Sequence, residues 1–220
     1  MIVYKDVQLI IHKLTLNEIK TNCFIIQRGN DALLIDPTLK PGEIIKYLYN
    51  NKLTLLHMIA THGHFDHVEG AAEIIDCLSV SALYLHEKDF KEVKNGPTYS
   101  MLLFKRTMKI PKIKNFNLEI LNLLKTWGLG IQNVGGHTPG SSYIYDLEKK
   151  FVITGDLILN HKLKVNMFNN RENTSELKKF YSQMKNEFNE NTIIFPGHGD
   201  PTNLKTEFAL NHKIYMLSDV

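Results

Sequence analysis

Hydrophobic positions along the chain switch repeatedly between a period of two and a period near 3.6, dividing it into alternating strand and helix patterns. Residues 7–13, 23–27 and 32–35 are β-branched runs that predict strands, with Arg28-Gly29-Asn30-Asp31 as the turn between the second and third. Residues 41–49 read as a helix, because Pro41 suits a first turn and Ile44, Ile45 and Leu48 share one side. The apolar run 55–60 predicts a strand, and 68–78 an amphipathic helix after it. Between Asn95 and Asn115 the alternation breaks, where Gly96-Pro97 and Pro111 bracket a Met-, Leu- and Phe-rich stretch that is either a lid or a plain connecting helix. A strand pattern resumes over 118–153, followed by a helix over 176–188 and a strand over 192–195. No linker composition separates the halves, so residues 1–220 are expected to form one domain. Two β-rich halves, each with helices, predict an α/β (α+β) architecture in which helices cover a β-sandwich.

Composition narrows the class. The chain has 220 residues, 43% of them hydrophobic, which suits one buried core. No apolar stretch approaches the roughly 18 residues that span a bilayer, so no membrane role is expected. The start, Met1-Ile2-Val3-Tyr4-Lys5-Asp6, lacks a basic region followed by an apolar run and a cleavage site, which predicts a cytoplasmic protein. Cys23 and Cys77 both lie in apolar contexts and are expected as buried thiols rather than a disulfide.

The chemistry concentrates at Thr61-His62-Gly63-His64-Phe65-Asp66-His67, directly after a predicted strand. His62 and His64, two apart at a strand end, share a face and can converge on one cation. Asp66 and His67 lie past the turn and cannot easily reach the same ion, which suggests a second, adjacent cation. Three further residues each follow an apolar strand-like run beside glycine: His137 in Gly136-His137-Thr138-Pro139-Gly140-Ser141, Asp156 in Thr154-Gly155-Asp156, and His198 in Pro196-Gly197-His198-Gly199. Glycine there permits the backbone turns that bring a ligand back over a metal.

Together these motifs resemble the metallo-β-lactamase superfamily: the HxHxDH signature is His62, His64, Asp66 and His67, followed in order by His137, Asp156 and His198. Within it the chain is similar to the small glyoxalase II-like (hydroxyacylglutathione hydrolase-like) branch, through Thr21-Asn22-Cys23-Phe24, Gly136 to Ser141, and Pro196 to Thr202 with Glu207 and Asn211 beyond. One departure stands out: residues 157–168 lack the Gly-Arg that usually follows the bridging aspartate in that branch.

The resemblance implies an αββα sandwich of two mixed sheets flanked by helices, with ligand loops gathered along one edge. It also implies two divalent ions per chain, one on His62, His64 and His137, the other on Asp66, His67 and His198, with Asp156 bridging. Imidazoles and carboxylates without thiolate suit Zn²⁺, Fe²⁺ or Mn²⁺, and Zn²⁺ is the default expectation. Such a pair activates a shared hydroxide for attack on an ester, thioester or lactone carbonyl, and Asp66 is the expected catalytic group that orients it or shuttles its proton. Thr61, Thr138 and Ser141 are candidate supports for the ligands, or simply stabilise their turns. A hydroxyacylglutathione-type thioester is the expected substrate. The alternatives are a lactone, for which Tyr99, Met101 and Phe104 are candidate pocket residues, and a glutathione persulfide oxidised at a single iron. A β-lactamase is disfavoured, since Asp156 stands where that activity would call for Cys.

The net charge is +3. Lys105, Arg106, Lys109, Lys112 and Lys114 fall in a ten-residue stretch without an acidic residue, which is either a solvated face or a funnel for an anionic small-molecule substrate. No nucleic-acid partner is expected, because the superfamily's nucleases carry added domains or arms for which this chain has no room.

Overall fold

The computed structural model describes residues 1–16, 18–161 and 173–217, and the chain divides into two compact units, Met1–Phe116 and Asn117–Val220. The first unit is built on a seven-stranded mixed sheet. Strands β1 (Ile2–Lys5), β2 (Ile10–Thr15), β3 (Asn22–Arg28) and β4 (Asp31–Ile35) form an antiparallel meander, to which β5 (Thr54–Ile59), β6 (Leu83–Tyr84) and β7 (Ile113–Lys114) add in parallel. Parallel neighbours need crossovers. They are supplied by α1 (Pro41–Asn50) between β4 and β5, by α2 (Phe65–Val68) and α3 (Ala71–Cys77) between β5 and β6, and by α4 (Phe90–Phe104) before β7. Alternate strand residues such as Ile25, Leu34 and Met58 meet Ile44, Leu48, Val68, Ile74 and Val93 from these helices in one buried core.

The second unit opens with α5 (Leu118–Thr126) and then forms a five-stranded mixed sheet in the order β12-β11-β10-β9-β8. Its strands are β8 (Leu129–Asn133), β9 (Ser142–Asp146), β10 (Phe151–Gly155), β11 (Ile193–Pro196) and β12 (Thr202–Asn203). Only β10 and β11 pair in parallel, and α6 (Thr174–Glu187) lies between them in the chain. Leu177, Phe180, Tyr181 and Met184 of α6 pack with Tyr143, Val152 and Ile194 of the sheet, and with Leu204 and Ile214 of α7 (Leu204–Leu210) and α8 (His212–Leu217). Among the described residues, no helix is long and apolar enough to cross a membrane.

Several expectations are corrected. The strand expected over 7–13 begins at Ile10, because the Asp6 carboxylate accepts the N–H groups of Gln8 and Leu9 at 2.8 Å each and closes a turn that leaves Val7 fully exposed. The helix expected over 68–78 is two pieces. Its break is at Gly70, which packs directly on the Thr38 carbonyl and donates its N–H to Pro37 O at 2.9 Å. Residues 118–126 are helix, not strand: Asn117 caps the first turn through the Ile120 N–H at 3.1 Å, and Ile120 and Leu124 are buried four residues apart. The stretch 95–115 begins inside α4, which runs through Gly96-Pro97 and makes it a connecting helix. Cys77 is exposed as the last residue of α3, while Cys23 is buried as expected and both are free thiols. Of the stretch that lacks Gly-Arg, residues 162–168 lie outside the described residues.

Candidate metal centre

In the first unit, β5 ends at Ile59, and the next residues turn away from the sheet before α2 begins at Phe65. This short loop and the single helical turn bring His62, His64, Asp66 and His67 together. His62 Nε2 lies 3.1 Å from His64 Nδ1, and His67 Nε2 lies 3.4 Å from Asp66 Oδ2. Ring nitrogens of His62 and His67 are within 4.8 Å of one another. Two neutral imidazole nitrogens at such a separation either share a proton or hold a cation between them.

Two buried carboxylates shape this loop. Asp36, in a left-handed backbone conformation (φ 54°) just after β4, accepts the Thr61 N–H at 2.7 Å and the Thr61 hydroxyl at 2.9 Å. Its Oδ2 also lies 2.9 Å from His67 Nδ1, in a pair with both side chains fully buried. A carboxylate on Nδ1 fixes the proton there, so the Nε2 lone pair is directed outward, as in metal-binding imidazoles. Asp89 accepts the Gly63 N–H at 2.8 Å; a Cβ on Gly63 would come within 2.8 Å of the Asp89 carbonyl, so only glycine lets the loop lie this close. Thr21 donates its hydroxyl to Asp66 Oδ2 at 2.8 Å. The Thr61 hydroxyl also lies 3.1 Å from His62 Nδ1. Behind α2, burial raises the Glu69 carboxyl above its ordinary range, and Ser100 of α4 donates to it at 2.9 Å.

The second unit gathers its three candidates from three separate strand ends. Asp156 follows β10, His137 follows β8, and His198 follows β11. His137 Nε2 lies 3.6 Å and His198 Nε2 3.5 Å from the same oxygen, Asp156 Oδ2. Here too a carboxylate shapes the approach: Glu176 of α6 accepts the Gly136 N–H at 3.0 Å, against the Gly135-Gly136 turn whose φ angles are 68° and 96°. Thr138 and Ser141 bond each other, hydroxyl to hydroxyl at 2.8 Å and Thr138 N–H to Ser141 Oγ at 2.9 Å, so they stabilise the turn.

The donor chemistry fits divalent metal: five imidazoles and two carboxylates, with nitrogen and oxygen atoms 3.1–3.6 Å apart within each set. No thiolate competes. Burial first, and then the Asp36 carboxylate, push the Cys23 thiol far above its ordinary range. Of the basic cluster, Arg106 pairs with Glu18 at 3.1 Å and lies over Phe104, Lys109 pairs with Asp76 at 2.6 Å, and the Lys114 ammonium lies over Tyr84. Asp36, Asp89 and Glu176 went unnoticed in the sequence because each acts from an element remote from the motif it holds.

Comparison with known proteins gives the chain's family. The profile of the metallo-β-lactamase superfamily matches residues 16–198. Hydroxyacylglutathione hydrolase GloC of Haemophilus influenzae is 27% identical over 204 residues, covering 86% of this chain and 91% of that protein. Among solved structures, TTHA1623 in a di-iron-bound form superposes with a TM-score of 0.77 at 25% identity, over 91% of this chain and 98% of that one. The BLEG-1 B3 metallo-β-lactamase shares the fold, with a TM-score of 0.75 at 22% identity over 93% of this chain and 99% of the other.

Proposed function

Because the chain belongs to the metallo-β-lactamase superfamily, we propose that its two ligand sets serve one binuclear centre and that it hydrolyses a thioester of the hydroxyacylglutathione type. His62, His64 and His137 would hold one divalent ion, Asp66, His67 and His198 the other, with Asp156 shared. The observation that carries this reading is the approach of His137 and His198 to a single oxygen of Asp156. GloC, a hydroxyacylglutathione hydrolase matched along most of both chains, supports the substrate class.

When bound, the ions supply Lewis acidity, polarising the carbonyl and bringing the pKa of a water down to about 7. Asp66, oriented by the Thr21 hydroxyl, takes the proton that the attacking water gives up. As the new C–O bond forms and the C–S bond breaks, that proton passes to the departing thiolate, so acid and thiol leave in balance. Asp36 keeps His67 in the tautomer that leaves its Nε2 lone pair free, so that His67 would hold its ion through Nε2.

The test is metal content per chain, measured on protein purified without added metal, together with hydrolysis of S-lactoylglutathione by the same sample. Close to two zinc ions with turnover is the expected result. One iron without turnover would overturn the thioesterase reading in favour of persulfide oxidation at a single iron, whereas two irons with turnover, the metal of the di-iron-bound TTHA1623, would change only the identity of the ions.

A further inference from the structure

Glu207 of α7 is fully buried, a place where a carboxylate taken out of water must have its oxygens bonded. Its neighbours are three polar side chains. Oε1 accepts the Thr202 hydroxyl at 2.8 Å and lies 2.9 Å from His161 Nδ1, while Oε2 accepts the Asn211 amide at 2.7 Å. The same Asn211 amide reaches the Leu159 carbonyl at 2.9 Å, and the Asn160 amide reaches the Asp200 carbonyl at 3.2 Å.

Sorted by position in the chain, these partners fall into two groups. Leu159, Asn160 and His161 follow Asp156 on one loop; Asp200 and Thr202 follow His198 on another. A carboxylate is suited to the junction because it only accepts: an ionised Glu can accept hydrogen bonds from a hydroxyl, an amide and an imidazole at once, whereas a glutamine must turn a donor toward one of them. Packing alone would be met by an apolar side chain of similar volume at lower desolvation cost.

We infer that Glu207 is a positioning residue for the second ligand set, tying the loop after Asp156 to the loop after His198 and so fixing the approach of His198 to the Asp156 carboxylate. The inference rests on the binuclear reading above. His161, which follows Asp156 on the first of these loops, is held by the buried Glu207 carboxylate.

Titration of the metal-free protein with Co²⁺, followed by d–d absorption, resolves the two ions separately. Glu207→Ala is expected to bind the ion on His198 about 10–100-fold more weakly while the ion on His62 and His64 keeps its affinity and spectrum. Glu207→Gln, which retains volume and one acceptor, should recover part of the loss, and His161→Ala should show a smaller weakening of the same ion. General destabilisation would not single out one ion. Two-ion binding with wild-type affinities and spectrum in Glu207→Ala overturns the inference. If that variant lacks a cooperative unfolding transition, unchanged Co²⁺ binding by His161→Ala overturns it instead. A wild-type chain that takes up only one ion overturns the binuclear reading itself, and the inference with it.

Discussion

The two ligand sets are built in opposite ways. In the first unit four candidate ligands sit within six residues, on one short loop and the helical turn after it, and the groups that shape it, Asp36 and Asp89, work on its backbone and on one ring. In the second unit three candidate ligands lie at three strand ends, and Glu176 and Glu207, each on a helix, bond to the segments beside them. A contiguous motif needs its local shape preserved; a dispersed one needs its loops held to each other. The first set should therefore be sensitive to one buried anchor and the second to the loss of a shared ligand.

The largest effect is expected at Asp156. With two imidazoles on one oxygen, Asp156→Ala should release both ions and abolish turnover, whereas His212→Ala, outside both sets, should leave metal content unchanged. Elemental analysis of the two variants decides this, and full metal content in Asp156→Ala would sink the shared-ligand assignment.

Next come the anchors, compared across the two sets. Asp36→Ala strands the Thr61 N–H, the Thr61 hydroxyl and the His67 Nδ1–H in a fully buried place. At about 1–3 kcal/mol for each buried group left unpaired, part of it relieved by relaxation, a loss of roughly 3 kcal/mol in stability is expected, with about 10–100-fold weaker metal binding. Glu176→Ala removes one bond to a backbone N–H at a half-buried position and should cost only about 1 kcal/mol. Denaturant unfolding of both metal-free variants measures the contrast, and equal losses would show that the two sets are anchored alike.

The same difference governs what could be read from the sequence. The HxHxDH run was legible because its chemistry is crowded into one window, and His137, Asp156 and His198 because each sits beside glycine after a strand. The α/β class followed from alternating periodicities and the two mixed sheets from the resemblance, and the helix at Leu118–Thr126 was legible too, in the spacing of Ile120 and Leu124 behind the Asn117 cap, but the apolar density there imitates a strand. Two-residue strands such as β6 and β7 have too few positions to show a period. Asp36, Asp89 and Glu176 could not be told from ordinary acidic residues, because what marks them is contact with a loop distant in sequence, whereas Glu207 stood out only through the resemblance.

The smallest effect separates two buried histidines of the first unit. His67 has a carboxylate on Nδ1, whereas His12 on β2 has only neutral partners, Gln27 Oε1 2.7 Å from Nε2 and the Tyr47 hydroxyl 2.8 Å from Nδ1. The Gln27 amide nitrogen is committed to the Gly29 carbonyl at 2.8 Å, so its oxygen faces the ring and His12 is held neutral, with the proton on Nε2. Burial foremost, with a lesser contribution from the terminal ammonium, lowers the His12 pKa below the ordinary 6.5, and the Gln27 bond opposes this only in part. The unfolded chain then binds a proton that the folded chain refuses. The contribution of His12 to stability is complete above about pH 6.5 and falls away as the pH drops through the folded value. Thermal unfolding of the metal-free protein between neutral and mildly acid pH should show a shallower acid-side decline in His12→Gln than in wild type. Identical slopes would mean that His12 titrates alike in both states and that its neutral partners impose no selectivity on its charge.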